Sequence, residues 1–162
     1  MKRLLVAVGA SVCVLGFAAS PVSAQSGHFI QRGAGAPECR DIGNQVECTG
    51  KVAGLGGTTF EITVEATGVA SVVCINPGGN RAPGQDTTFT VAGTTDPLPT
   101  PRNGQSPFEV DTDDPAPLPP TPTCPNEKWS PEIVDVSFTT ATLRLFEDGV
   151  QVDEVTVTVT SS

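Results

Sequence analysis

The sequence predicts an all-β protein, an immunoglobulin-like antiparallel β-sandwich of about eight to ten short strands. Three observations carry that prediction. Apolar and polar residues alternate with period two in several stretches, as one-sided strands require. Gly-, Pro- and Asn-rich turn signals recur at the short spacing of a sandwich. After residue 24 no stretch has the 3.6-residue period of an amphipathic helix.

Residues 1–24 read as a secretory signal peptide. Lys2 and Arg3 form a basic head, an apolar run follows, and Val22-Ser23-Ala24 suits a small-residue cleavage site. The run is too short for a membrane span, and Cys13 lies inside it. No second long apolar run follows, so no membrane association is expected after cleavage. A secreted chain is therefore expected. Without Lys2 and Arg3, seven basic residues face 18 acidic ones, a formal charge of −11. Such a surface repels phosphate backbones, which argues against nucleic acid as a partner.

Four cysteines remain, and in an exported chain four imply two disulfides with three pairings. Gly43-Asn44 suits a two-residue hairpin loop. Around that loop Cys39 faces Cys48 at a non-hydrogen-bonded position, where Cα atoms approach within about 4.5 Å. Cys74 is then left for Cys124. No cysteine pair has zinc-knuckle spacing, and the only histidine is His28.

The elements follow in order. Residues 25–36 are glycine-rich and read as a flexible arm or a short edge strand. Residues 37–162 form a single domain. It begins with the hairpin of residues 38–42 and 45–52, which Gly54-Leu55-Gly56-Gly57 ends. Residues 58–66 alternate most strictly, with Phe60, Ile62, Val64 and Ala66 on one face. Thr67-Gly68 reads as a turn, and residues 69–75, apolar on both faces but for Ser71, as a central return strand. Asn76-Pro77-Gly78-Gly79-Asn80 and Pro83-Gly84 shape the loop after Cys74. Residues 87–92 alternate through Phe89 and Val91. Residues 94–123 are a Pro-rich, acidic loop with nine prolines in thirty residues, interrupted by one edge strand at Phe108 and Val110. Two strands follow, one with Val134, Val136 and Phe138 inward and one with Ala141, Leu143 and Leu145. Glu147-Asp148-Gly149-Val150 turns the chain into a last strand. Its apolar phase shifts at Asp153-Glu154, as a β-bulge would shift it. The expected core is Phe60, Ile62, Val64, Val72, Val136, Phe138, Leu143, Leu145, Val155 and Val157.

Val72-Val73-Cys74-Ile75-Asn76-Pro77-Gly78-Gly79-Asn80, with Pro83-Gly84-Gln85, Cys124-Pro125-Asn126 and Trp129, resembles small exported bacterial immunoglobulin-like β-sandwich proteins. The resemblance spans residues 48–159. It implies the fold and export, and it brings no catalytic residue. The chain lacks a tyrosine corner, having no tyrosine.

Chemistry-bearing patterns are sparse. His28 sits in the arm, no Gly-x-Ser-x-Gly motif occurs, and oxidised cysteines offer no thiolate. A catalytic role is not expected. Glu61 and Glu65 share a strand face, the pattern of solvated sheet surface more than of a hydrolase pair. No cofactor is expected. Asp111, Asp113 and Asp114 form the one motif able to chelate calcium, without EF-hand spacing. Asn76, Asn80, Arg81 and Gln85, with Trp129, are the candidate ligand-binding residues. The expected function is an exported, non-enzymatic interaction or structural module that binds another exported protein or a cell-surface glycan. The alternatives are a secreted hydrolase inhibitor presenting residues 74–85, and a carboxylate-dependent hydrolase. The sequence assigns no oligomeric state.

Overall fold

The computed structural model describes residues 26–114 and 124–161. The expected signal peptide and the proline-rich run at 115–123 lie outside them. The described chain is all β. Its ten strands are β1 (His28–Phe29), β2 (Glu38–Asp41), β3 (Val46–Ala53), β4 (Thr59–Ile75), β5 (Arg81–Pro83), β6 (Thr87–Thr94), β7 (Leu98–Pro99), β8 (Ser106–Asp111), β9 (Ser130–Glu147) and β10 (Val150–Thr160).

Two long strands organise the rest. β4 and β9 pair antiparallel from Phe60↔Glu147 to Ile75↔Ser130. Beyond β9, β10 pairs antiparallel as far as Thr158↔Thr140. The other side of β4 carries β7, β6 and β5 in succession. The second layer is built on β3, flanked by β8 on one side and by β2 and β1 on the other. β10 joins the layers by leaving β9 and pairing with β2 through Val159↔Cys39 and Thr160↔Arg40. That pair is parallel, so the sheet is mixed where pure antiparallel pairing was expected. The opposite seam is closed by Asp113 N–H donating to the Ala92 carbonyl at 2.8 Å.

The hairpin register follows from its turn. Ile42 N–H donates to Gln45 O at 3.0 Å across Gly43-Asn44, Cys39 faces Cys48, and the two form a disulfide with a Cα separation of 4.2 Å. Cys74 and Cys124 form the second, at 5.8 Å.

Two strand boundaries differ from expectation. Thr67-Gly68 is no turn, because β4 runs straight through it. The glycine is required by a close approach instead. A Cβ at position 68 would stand within 2.9 Å of both the Phe89 and Phe138 rings, which pack edge to face at 5.6 Å. Likewise the two strands expected at Val134–Phe138 and Ala141–Leu145 are one strand. In β9, Gly68 pairs with Phe138 and Thr67 with Thr140, so Thr139 is an extra, bulged residue. The bulge moves the apolar set from even to odd positions without turning the chain.

The core is larger than expected. Phe60, Ile62, Val64, Val72, Phe138, Leu143 and Leu145 are buried as expected, and Val136, Val155 and Val157 are partly buried against the core. Phe29, Val46, Val52, Phe89, Phe108 and Val110 join them. Phe29 meets Phe108 edge to face at 5.6 Å, so β1 is docked by a buried anchor. Val134, expected to point inward, is 48% exposed. It is the extra residue of a second bulge, between Ser71↔Asp135 and Val72↔Ile133.

Candidate functional site

Past Thr140 the β4–β9 ribbon outruns the body. β10 has crossed to β2, and β6 begins only opposite Ala70. This distal ribbon is β9 from Ser130 to Phe138, the end of β4, and β5. The Cys74–Cys124 bond clamps it, and Gly84 packs so closely that a Cβ there would lie 2.9 Å from Val72.

The loop at its tip is pinned from within. Asn76 Oδ1 accepts from both Gly78 N–H and Asn80 N–H at 2.9 Å, and Asn76 N–H donates to Asn80 O at 3.1 Å. Gly79 takes φ 78°, which favours glycine. Asn76 therefore shapes the loop with the oxygen a ligand would use. Arg81 reaches across β4 to Glu132, donating at 3.1 and 3.3 Å. Asn80 and Gln85 are exposed, and Trp129 is half-buried immediately before β9. Of the five expected ligand-binding residues, the structure brings Asn76, Asn80 and Arg81 together at the tip.

The three aspartates of the motif able to chelate calcium are not grouped as a ligand set. Asp111, Asp113 and Asp114 are exposed around Thr112, which is 1% exposed. Thr112 Oγ1 accepts from Val46 N–H at 3.0 Å, so this segment extends the β3–β8 ladder. Among the described residues no three His, Cys, Asp or Glu side chains are grouped to hold a metal ion. Glu65 pairs with Arg144 at 3.6 Å, and Glu61 accepts from Thr94 Oγ1 at 3.1 Å.

Three features escaped sequence reading. The first is the outer edge of β9. Among the described residues no strand pairs with residues 130–138 on the side away from β4. Val72 gives its carbonyl to Gly84 N–H at 2.8 Å, on the β5 side. Its register partner Ile133 therefore turns its backbone groups outward. Ala70 has the same parity, so its partner Val136 does too. Phe138 N–H also points outward, and donates to Asp41 Oδ2 at 3.3 Å. The second feature is a shallow groove of about 310 Å³ beside this edge, between residues 133–136 and the Gly43-Asn44 hairpin tip. Ile42 (46% exposed) and Val134 lie on it or next to it.

The third is a pair of carboxylates on the β9–β10 turn. Asp148 and Gly149 have φ 48° and 81°, the mirror-image turn that an Asp-Gly pair favours. Glu147 is fully buried. It accepts from Gly27 N–H at 2.9 Å, Gly57 N–H at 2.8 Å and Gly56 N–H at 3.1 Å. Asp148 accepts from the Thr58 hydroxyl at 2.6 Å and from the Thr58 and Thr59 amides. These bonds, the Thr58 hydroxyl foremost, lower its pKa from 3.8 to about 2. A signal for Glu147 was present, since position 147 continues the inward set 141, 143, 145.

No family model and no curated protein matches the chain. Weakly similar solved structures include two bacterial enzymes. A Bacteroides uniformis beta-glucuronidase 2 shares 11% identity at a TM-score of 0.31, over 81% of this chain and 14% of its own. A putative beta-galactosidase from Bacteroides fragilis shares 11% at 0.27, over 81% and 17%. The chain thus spans a small part of either enzyme, and likeness at this level carries no argument about activity. The two disulfides accord with an oxidising, extracellular environment. Among the described residues no helix is long and apolar enough to cross a membrane.

Proposed function

We propose that the chain is an exported, non-enzymatic binding module that engages another exported protein through its distal ribbon. The observation that carries this reading is the outer edge of β9 over residues 130–138, which pairs with no strand among the described residues and is flanked by the exposed Ile42 and Val134. An interaction site needs accessible apolar surface with backbone or polar groups beside it, on a rigid support. The ribbon has all three, and its clamp is a covalent bond. The leader-like residues 1–24 and the disulfides support export. The test is retention of proteins from the culture supernatant and cell wall of the producing organism on immobilised residues 25–162, in parallel with Val134→Asp. A protein retained by the parent and lost by the variant, at an unchanged melting temperature, is the expected result. Retention indifferent to residue 134 overturns the reading.

A second reading rests on the tip loop. Its internal capping by Asn76 and its disulfide give it the rigidity of an inhibitor's bait. Titration against purified secreted hydrolases tests it, with stoichiometric inhibition expected.

A further inference from the structure

The ribbon edge also specifies the chemistry of its partner, an inference that rests on the binding-module reading above. Backbone groups point outward at Ile133 and Val136, three residues apart because Val134 is bulged. A regular strand presents such groups every two residues, so it can satisfy one side of the bulge and not both. Pro131 further removes a donor at the start of the edge. Long, indiscriminate pairing is therefore blocked, and a short segment is not. Charge narrows the choice. Glu132 and Asp135 are exposed on this stretch and Asp41 stands at its end, in a chain of formal charge −9. Glu132 is shared with Arg81, whereas Asp135 lines the groove beside Val134. A second copy placed edge to edge would set these carboxylates against their like, and bulge against bulge.

We infer that the β9 edge docks a short, extended, cationic segment of another exported protein. Its backbone pairs at Val136, its apolar side chains lie along Val134 and Ile42, and its Lys or Arg residues face Asp135. Main-chain pairing supplies affinity, and the charges supply orientation and on-rate.

The probe is a capped, fluorescent peptide alternating lysine with valine, followed by anisotropy against residues 25–162. Saturable binding is expected, weakening as salt rises through the screening range. Asp135→Lys should weaken it by about tenfold at an unchanged melting temperature. A peptide N-methylated at alternate residues should lose it, and a glutamate-for-lysine peptide should not bind. Equal binding of the N-methylated peptide, or indifference to Asp135→Lys, overturns the inference. So does sedimentation showing a dimer that Val134→Asp dissociates, because the edge then serves a second copy. If the peptide fails to bind while Val134-dependent capture persists, this inference falls and the binding-module reading stands. If both fail, both fall.

Discussion

Asp148 illustrates how a single side chain can make stability depend on pH. Its pKa is lowered to about 2 by hydrogen bonds that only the folded chain provides. Because the folded value lies below the unfolded one, its contribution is fully present above the ordinary 3.8 and is lost as pH falls toward 2. Urea midpoints of the parent should therefore fall more steeply than those of Asp148→Asn across that window. Asparagine tolerates the positive φ, so the turn itself survives. Parallel pH profiles for the two would contradict the assignment. Glu147 acts differently, because it is buried. Glu147→Ala leaves the Gly27, Gly56 and Gly57 amides without their acceptor, at a cost on the order of 3 kcal/mol. Urea denaturation gives the cost, and faster hydrogen exchange at Gly27 would locate it. Arg81→Ala removes one exposed ion pair and should shift stability by less than about 1 kcal/mol.

At the scale of elements, the bulges carry the main lesson. In β10 the apolar phase shifts near Asp153, and the structure places the extra residue at Val152. In β9 the same kind of shift occurs twice, at Val134 and Thr139. One phase break read as a bulge and the others as a strand end or as nothing at all, although the residue pattern has the same form. A shift by one residue is compatible with a bulge or a turn, and only the partner strand decides between them. Gly68 misleads for a related reason. Glycine marks a turn and a close approach equally well, and the Phe89 and Phe138 rings that need its missing Cβ lie far along the chain. The two disulfides close loops of unequal length, with separations of 9 and 50 residues. On the chain-entropy relation, replacing Cys74 and Cys124 by alanine should cost about 4 kcal/mol, and replacing Cys39 and Cys48 about 2.5. Denaturant midpoints of the two double variants should keep that order.

For the whole molecule, the docking of β1 changes how the domain closes. β1 has only two residues, yet Phe29 is 1% exposed, and its N–H donates to Asp153 Oδ2 at 2.8 Å. With β2 it fills the gap between β3 and β10 that would otherwise leave the core open. Phe29→Ala should therefore cost about 3–5 kcal/mol, measured by urea denaturation. A loss below about 1 kcal/mol would mean that β1 is an appendage. The same closure creates the candidate site. Because β10 is drawn away to β2, the first residues of β9, Ser130–Phe138, have no strand on that side among the described residues, and Ile42 and Val134 lie beside it from distant parts of the chain.

The sequence by itself determined the all-β class, the strand alternation, the Gly43-Asn44 turn and both disulfide pairings. These depend on local backbone preference, on a period of two and on counting outward from a turn. Only the tertiary structure decided that β4 and β9 are continuous, that β10 crosses in parallel to β2, that Phe29 and Glu147 are interior, and that one edge of β9 is unpaired among the described residues. Those outcomes depend on which strand lies beside which, and a hydrogen-bond ladder or a ring stacked on a glycine joins residues that no local pattern connects.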